Sequence, residues 1–107
     1  SIVGRSKDLI ISGGYNVCPK KIEAVIDDMA GVLESAVVGV AHPDFGEAVV
    51  AVVVPGPGQT LDVQAMTATL KAQLANYKVP KQIHLAVELP RNTMGKVQKN
   101  VLREHYG

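Results

Sequence analysis

The sequence predicts a small α+β domain, a three-stranded sheet with flanking helices and a β-hairpin at its N-terminal end. Three observations carry this reading. Apolar residues recur at helical spacing in separate stretches, short Val- and Ala-rich runs of strand length lie between them, and Gly or Pro stands at nearly every junction. At 107 residues the chain has the length of one domain with one modest core.

The elements follow in order. Residues 8–17, Asp-Leu-Ile-Ile-Ser-Gly-Gly-Tyr-Asn-Val, place a Gly-Gly pair between two short apolar pieces, which is a hairpin signal. Pro19 suits the first turn of a helix whose stripe is Ile22, Val25, Ile26 and Met29, with Gly31 expected just past its end. Two strands are expected at 33–40 and 48–54, joined by a turn over 41–47. The second is apolar throughout, so both faces of the sheet should be covered there. After Pro55-Gly56-Pro57-Gly58, Asp62 is placed to cap a helix with Val63, Met66, Leu70 and Leu74 facing inward. A third strand is expected over 82–87, with Ile83, Leu85 and Val87 on one face. The polar loop 91–96 then leads to a last helix with Val97, Val101 and Leu102 turned inward.

Composition narrows the function. Aromatic residues make up 4% of the chain, so the core must be aliphatic. No apolar run approaches the ~18 residues of a membrane span, and the first residues lack the apolar segment of a signal peptide. The chain does not begin with Met, which suggests processing or a piece of a longer protein. The lone Cys18 cannot form an internal disulfide and points to a reducing, cytoplasmic compartment, where it reads as a structural thiol. From Lys78 to Arg103 the chain carries Lys78, Lys81, Arg91, Lys96, Lys99 and Arg103 against Glu88 alone. Such a stretch suits a phosphate-bearing partner, although charge by itself more often marks a solvated face. Its scarcity of aromatics argues against nucleic acid.

Two segments are richer than scaffolding requires. Gly4-Arg5-Ser6-Lys7-Asp8 leads into Ser12-Gly13-Gly14-Tyr15-Asn16, where adjacent glycines serve either a tight hairpin or close approach to a ligand. Pro90-Arg91-Asn92-Thr93-Met94-Gly95-Lys96 places a Gly-Lys pair ahead of a helix. It is not a phosphate-binding P-loop, because the earlier Gly is missing and Val97 stands where Ser or Thr should be. What remains is a loop that presents a lysine beside a helix N-terminus, which favours anions.

Taken together and in this order, these segments, with Glu34-Ser35-Ala36-Val37-Val38-Gly39-Val40, His42-Pro43-Asp44 and Gly46-Glu47 between them, resemble the C-terminal domain of the acyl-CoA synthetase, peptide-synthetase adenylation domain and luciferase superfamily. The resemblance spans essentially the whole chain, and Pro90 to Lys99 looks most like the malonyl-CoA synthetase branch. It implies a mobile domain that caps a larger N-terminal, adenylating domain in two orientations, with ATP, CoA and a carboxylic acid as substrates. Lys96 would support adenylation and contact ATP together with Arg5. Lys7 would be the hinge. Ser12, Gly13, Gly14 and Tyr15 would line the CoA channel. Magnesium would be held by the N-terminal domain, leaving no metal site here, and the domain alone would not complete the reaction. The competing reading is a protein-interaction module, in which a lysine acetyltransferase and a deacetylase act on Lys96 within its Pro-x-x-x-x-Gly-Lys loop.

Overall fold

A computed structural model of the protein describes residues 9–107. Strands β1 (Ile10–Ser12) and β2 (Tyr15–Val17) form the expected hairpin, followed by helix α1 (Pro19–Asp27). The long strands β3 (Val32–His42) and β4 (Gly46–Pro55) pair antiparallel over almost their whole length. Helix α2 (Val63–Gln73), a 3₁₀ turn at Asn76–Lys78, strand β5 (Gln82–Leu85) and helix α3 (Lys99–Tyr106) complete the chain. The α+β class stands, and β3, β4 and β5 are its three expected strands. The hairpin extends them into a five-stranded sheet. Both β1 and β5 use the same edge of β4: β1 meets it antiparallel at Ser12 opposite Gly46, and β5 runs parallel to it from Val50 to Val53.

β4 is apolar throughout because the sheet is covered on both sides. Val49, Ala51 and Val53 face one cluster with Ile22 and Ile26 of α1 and Met66 and Leu70 of α2. Val50, Val52 and Val54 face the other, with Leu89 and Leu102. The pleat sends alternate residues to opposite faces, so a strand buried on both must be apolar at every position. Ile10 and Val17, paired across the hairpin, pack into the first cluster.

Local chemistry sets the ends. The Asp62 carboxylate accepts the backbone N–H of Gln64 and Ala65, capping α2 as expected. Cys18 is the residue before the first turn of α1, which Pro19 opens. Gly39 is required by a close approach: a Cβ there would lie 2.9 Å from the Glu47 carboxylate and from Ile10. That room lets Glu47 reach across and accept the Ile11 N–H at 2.8 Å, so the hairpin is tied to β4.

Four local expectations are corrected. α1 closes at Asp28, so Gly31 lies in the following turn, where its carbonyl accepts the Gly56 N–H at 2.8 Å. Met29 lies beyond the helix yet still packs on the first cluster. β5 stops at Leu85, and Val87 is 94% exposed, because the chain leaves β4 after the Ala86 N–H bonds to Val53. In α3 the inward residues are Leu102 and Tyr106, four apart on one face, while Val101 is exposed and Val97 packs from ahead of the helix.

Candidate functional site

The hairpin turn is a Gly13-Gly14 pair with φ of 58° and 84°, the left-handed backbone that a two-residue hairpin loop needs and that a side chain resists. A Cβ at either position would meet nothing within 4 Å, so the pair leaves an open strip of bare backbone. The Gly13 N–H donates to the Phe45 carbonyl at 2.8 Å, which holds the turn against the β3–β4 connection. Beside it lies a cavity lined by Ser12, Gly13, Tyr15, Phe45, Asn76, Tyr77 and Lys81.

 The cavity itself has a volume of about 360 Å³ and opens to solvent. Tyr15 stacks on Tyr77 with ring centroids 4.3 Å apart, and the Lys81 ammonium lies 4.9 Å from the centre of the Phe45 ring, on whose face His42 also stacks. The chain has only three Tyr, one Phe and no Trp, and three of these four rings line this one cavity. Ser12, Gly13 and Tyr15 were expected at a ligand channel, and Gly14 sits at its turn. Phe45, Asn76 and Tyr77 were not singled out from the sequence, although rings in so aliphatic a chain were a usable signal, and Lys81 entered only as part of the basic stretch.

Lys96 is exposed, at the end of a loop that is built rather than slack. The Asn92 side-chain oxygen accepts the N–H groups of Met94 and Lys96, each at 2.9 Å. The Asn92 N–H donates back to the Lys96 carbonyl at 3.0 Å, and Arg91 and Val97 form an antiparallel bridge that closes the loop. Arg91 reaches over it: Nη1 donates to the Gly95 carbonyl at 2.8 Å, while Nη2 pairs with Glu34. After the loop, the Lys99 ammonium pairs with Glu23 at 2.8 Å. The expected lysine ahead of a helix is therefore present, two residues before the Gln98 cap of α3. Lys7 and Arg5 lie outside the described residues.

The two sites occupy opposite ends of the β3–β4 ladder. Ser12 meets Gly46 where β4 begins, whereas Glu34, which holds Arg91, is opposite Val54 where β4 ends. From Gly46 to Val54 the strand covers roughly 26 Å at ~3.3 Å per residue.

The family model for the AMP-binding enzyme C-terminal domain matches residues 21–96. This chain belongs to that family. The AMP-binding C-terminal domain described here is 48% identical over 103 residues to an indenyl-propanoyl:CoA ligase of Rhodococcus jostii, covering 96% of this chain and 20% of the relative. To the indoleacetate–CoA ligase of Aromatoleum aromaticum it is 45% identical over 101 residues, covering 94% of this chain and 20% of that one. Among solved structures, ATP-bound MatB from Rhodopseudomonas palustris matches with a TM-score of 0.91 and 59% identity, over 96% of this chain and 20% of that chain. The domain thus spans about a fifth of the length of the curated relatives it matches.

Proposed function

We propose that this chain is the C-terminal lid of an ATP-dependent carboxylate–CoA ligase, which converts acid, ATP and CoA into acyl-CoA, AMP and pyrophosphate. The observation that carries the reading is the placement of a lysine loop and a glycine hairpin at opposite ends of one rigid ladder. Separated by roughly 26 Å of strand, they cannot serve one reaction centre in one orientation. A chemistry in two steps, with the lid turned between them, uses both.

In the first orientation Lys96 enters the centre. A carboxylate oxygen of the acid attacks the α-phosphorus of ATP and pyrophosphate leaves. The Lys96 ammonium stabilises the negative charge that gathers on the transferring oxygens, a task suited to a point charge held in place beforehand. In the second orientation the Gly13-Gly14 strip lines the thiol's path. The CoA sulfur attacks the acyl carbonyl carbon and AMP departs. Bare backbone keeps this path wide. Tyr15, Tyr77 and Phe45 offer ring faces to the adenine of CoA, with Lys81 and Lys78 beside them for its phosphates. Lys7 is the hinge of this rotation, and Arg5 contacts ATP.

The larger adenylating domain supplies the acid pocket. Magnesium would be held by that larger domain. Within the family, the run from Pro90 to Lys99 and the 59% identity to MatB favour malonate as the acid. A cytoplasmic location for the parent enzyme is part of this proposal and suits its use of ATP and CoA. The exposure of Lys96 leaves it open to a lysine acetyltransferase and a deacetylase, and acetylation would remove the charge that adenylation needs.

The test is a separation of half-reactions in the full-length enzyme. Lys96→Ala should lower ATP–pyrophosphate exchange by about a hundredfold or more, while acyl-CoA formation from supplied acyl-adenylate persists. A loss of exchange smaller than about tenfold would remove Lys96 from the chemistry.

A further inference from the structure

Lys96 is aimed from a distance. Its backbone is fixed by Asn92 through bonds that lie within the loop, and the loop's two ends are seated by Leu89 and Val97 on the second core cluster. Between these ends, the Arg91 guanidinium makes a side-chain contact from the loop to β3. One nitrogen holds the Gly95 carbonyl, which belongs to the same peptide unit as the Lys96 N–H, and the other pairs with Glu34 of β3. Arg91 and Glu34 are 57 positions apart in sequence. Glu34 stands at a register shift: the pairing passes from Val32 to Glu34 and skips Leu33, which is 61% exposed. Such a bulge re-aims the side chains beside it, and bulges gather next to functional sites.

Stability does not account for this arrangement. The two side chains are 43% and 28% exposed, and an ion pair so open to water adds little to folding. What a planar, two-pronged guanidinium does add is direction, because its fork holds two partners at a fixed angle.

We propose that Glu34 is a positioning residue for adenylation, acting through Arg91 and the Gly95 carbonyl to set where the Lys96 ammonium reaches. This rests on the catalytic reading of Lys96 given above. Misplacement of a catalytic group by about 1 Å costs up to roughly a hundredfold in rate, so loss of one prong should fall below that.

The experiment uses the full-length enzyme with Glu34→Ala, Glu34→Gln and Lys96→Ala, measuring ATP–pyrophosphate exchange and acyl-CoA formation from synthetic acyl-adenylate. Glu34→Ala should lower the kcat of exchange about tenfold, with the KM for ATP within about twofold and the second half-reaction unchanged. Glu34→Gln keeps an acceptor for Arg91 and should recover to within about threefold of the parent. Hydrogen exchange followed by mass spectrometry should show faster exchange across residues 91–97 in Glu34→Ala, with the β3–β4 ladder unchanged. If both half-reactions fall together, or Gln does no better than Ala, the residue is structural and the proposal is overturned. If Lys96→Ala abolishes exchange while Glu34→Ala leaves it intact, the tether alone fails. If Lys96→Ala leaves exchange intact, the catalytic reading fails and the tether with it.

Discussion

One carboxylate oxygen of Glu23 serves two partners: it accepts the backbone N–H of Val37 at 2.8 Å and lies 2.8 Å from the Lys99 ammonium. Glu23 is on α1, Val37 on β3 and Lys99 at the first turn of α3, so a single side chain joins three elements. Both charged side chains are mostly shielded, at 21% exposed for Lys99 and 17% for Glu23.

Removing Glu23 therefore leaves a strand donor and a largely shielded ammonium without this acceptor. Glu23→Ala should cost about 1–3 kcal/mol. In a domain of this size that lowers the melting temperature by several degrees, at about 4–8 °C per kcal/mol. Glu23→Gln keeps the Val37 bond and should lose less. Thermal melting by circular dichroism checks both.

Leu102 is the buried residue of α3 and seats that helix on the second cluster. Leu102→Ala should destabilise by about 2–5 kcal/mol. Val101→Ala, one position away and 44% exposed, should stay within about 0.5 kcal/mol. Urea unfolding of the pair tests the corrected face of the helix.

A Cβ at Gly14 meets no atom within 4 Å inside the domain, so the internal cost of Gly14→Leu is chiefly the left-handed backbone, about 1–2 kcal/mol. In the full-length enzyme it should lower thioester formation by about tenfold or more while pyrophosphate exchange persists. Gly58→Leu is the control: it has the same open surroundings and a φ of 72°, and it should spare both half-reactions.

Tyr77→Ala removes a ring from the hairpin cavity and the support beneath Tyr15. The KM for CoA should rise roughly tenfold, the scale of one base–aromatic stack, with the KM for ATP unchanged. Tyr77→Phe keeps the stack and should behave as the parent. Steady-state kinetics with CoA varied decides between them.

Lys7→Pro fixes φ near −65° at the proposed hinge. Pyrophosphate exchange should continue, and acyl-CoA production should fall by about an order of magnitude. A variant that folds normally and keeps both half-reactions would remove the hinge from residue 7.

Much of the fold was legible because its signals are short-range. Two glycines between apolar pieces specify a hairpin, Asp62 caps the helix it precedes, and an unbroken apolar run at 48–54 announces a strand covered on both faces. Lys96 and the Gly13-Gly14 pair stood out for the same reason, since each lies in a compact motif. The misses have a common cause. Val101 and Leu102 are equally apolar neighbours, and only the docking of α3 on β3 and β4 chooses between them. Val87 continues the alternation of a strand whose partner the chain has already left.

By itself, then, the sequence determined the class of domain, the order of its elements and the two motifs proposed to carry its chemistry. Tertiary structure decided which residues surround those motifs. Tyr15 opens β2, Phe45 lies in the β3–β4 connection and Tyr77 in the 3₁₀ turn, and they meet where β1 adds to the edge of β4. Arg91 finds Glu34 across 57 positions, at a register shift in β3. Such pairings depend on strand register and helix docking, which are set by burial summed over the whole core and not by any local run of residues.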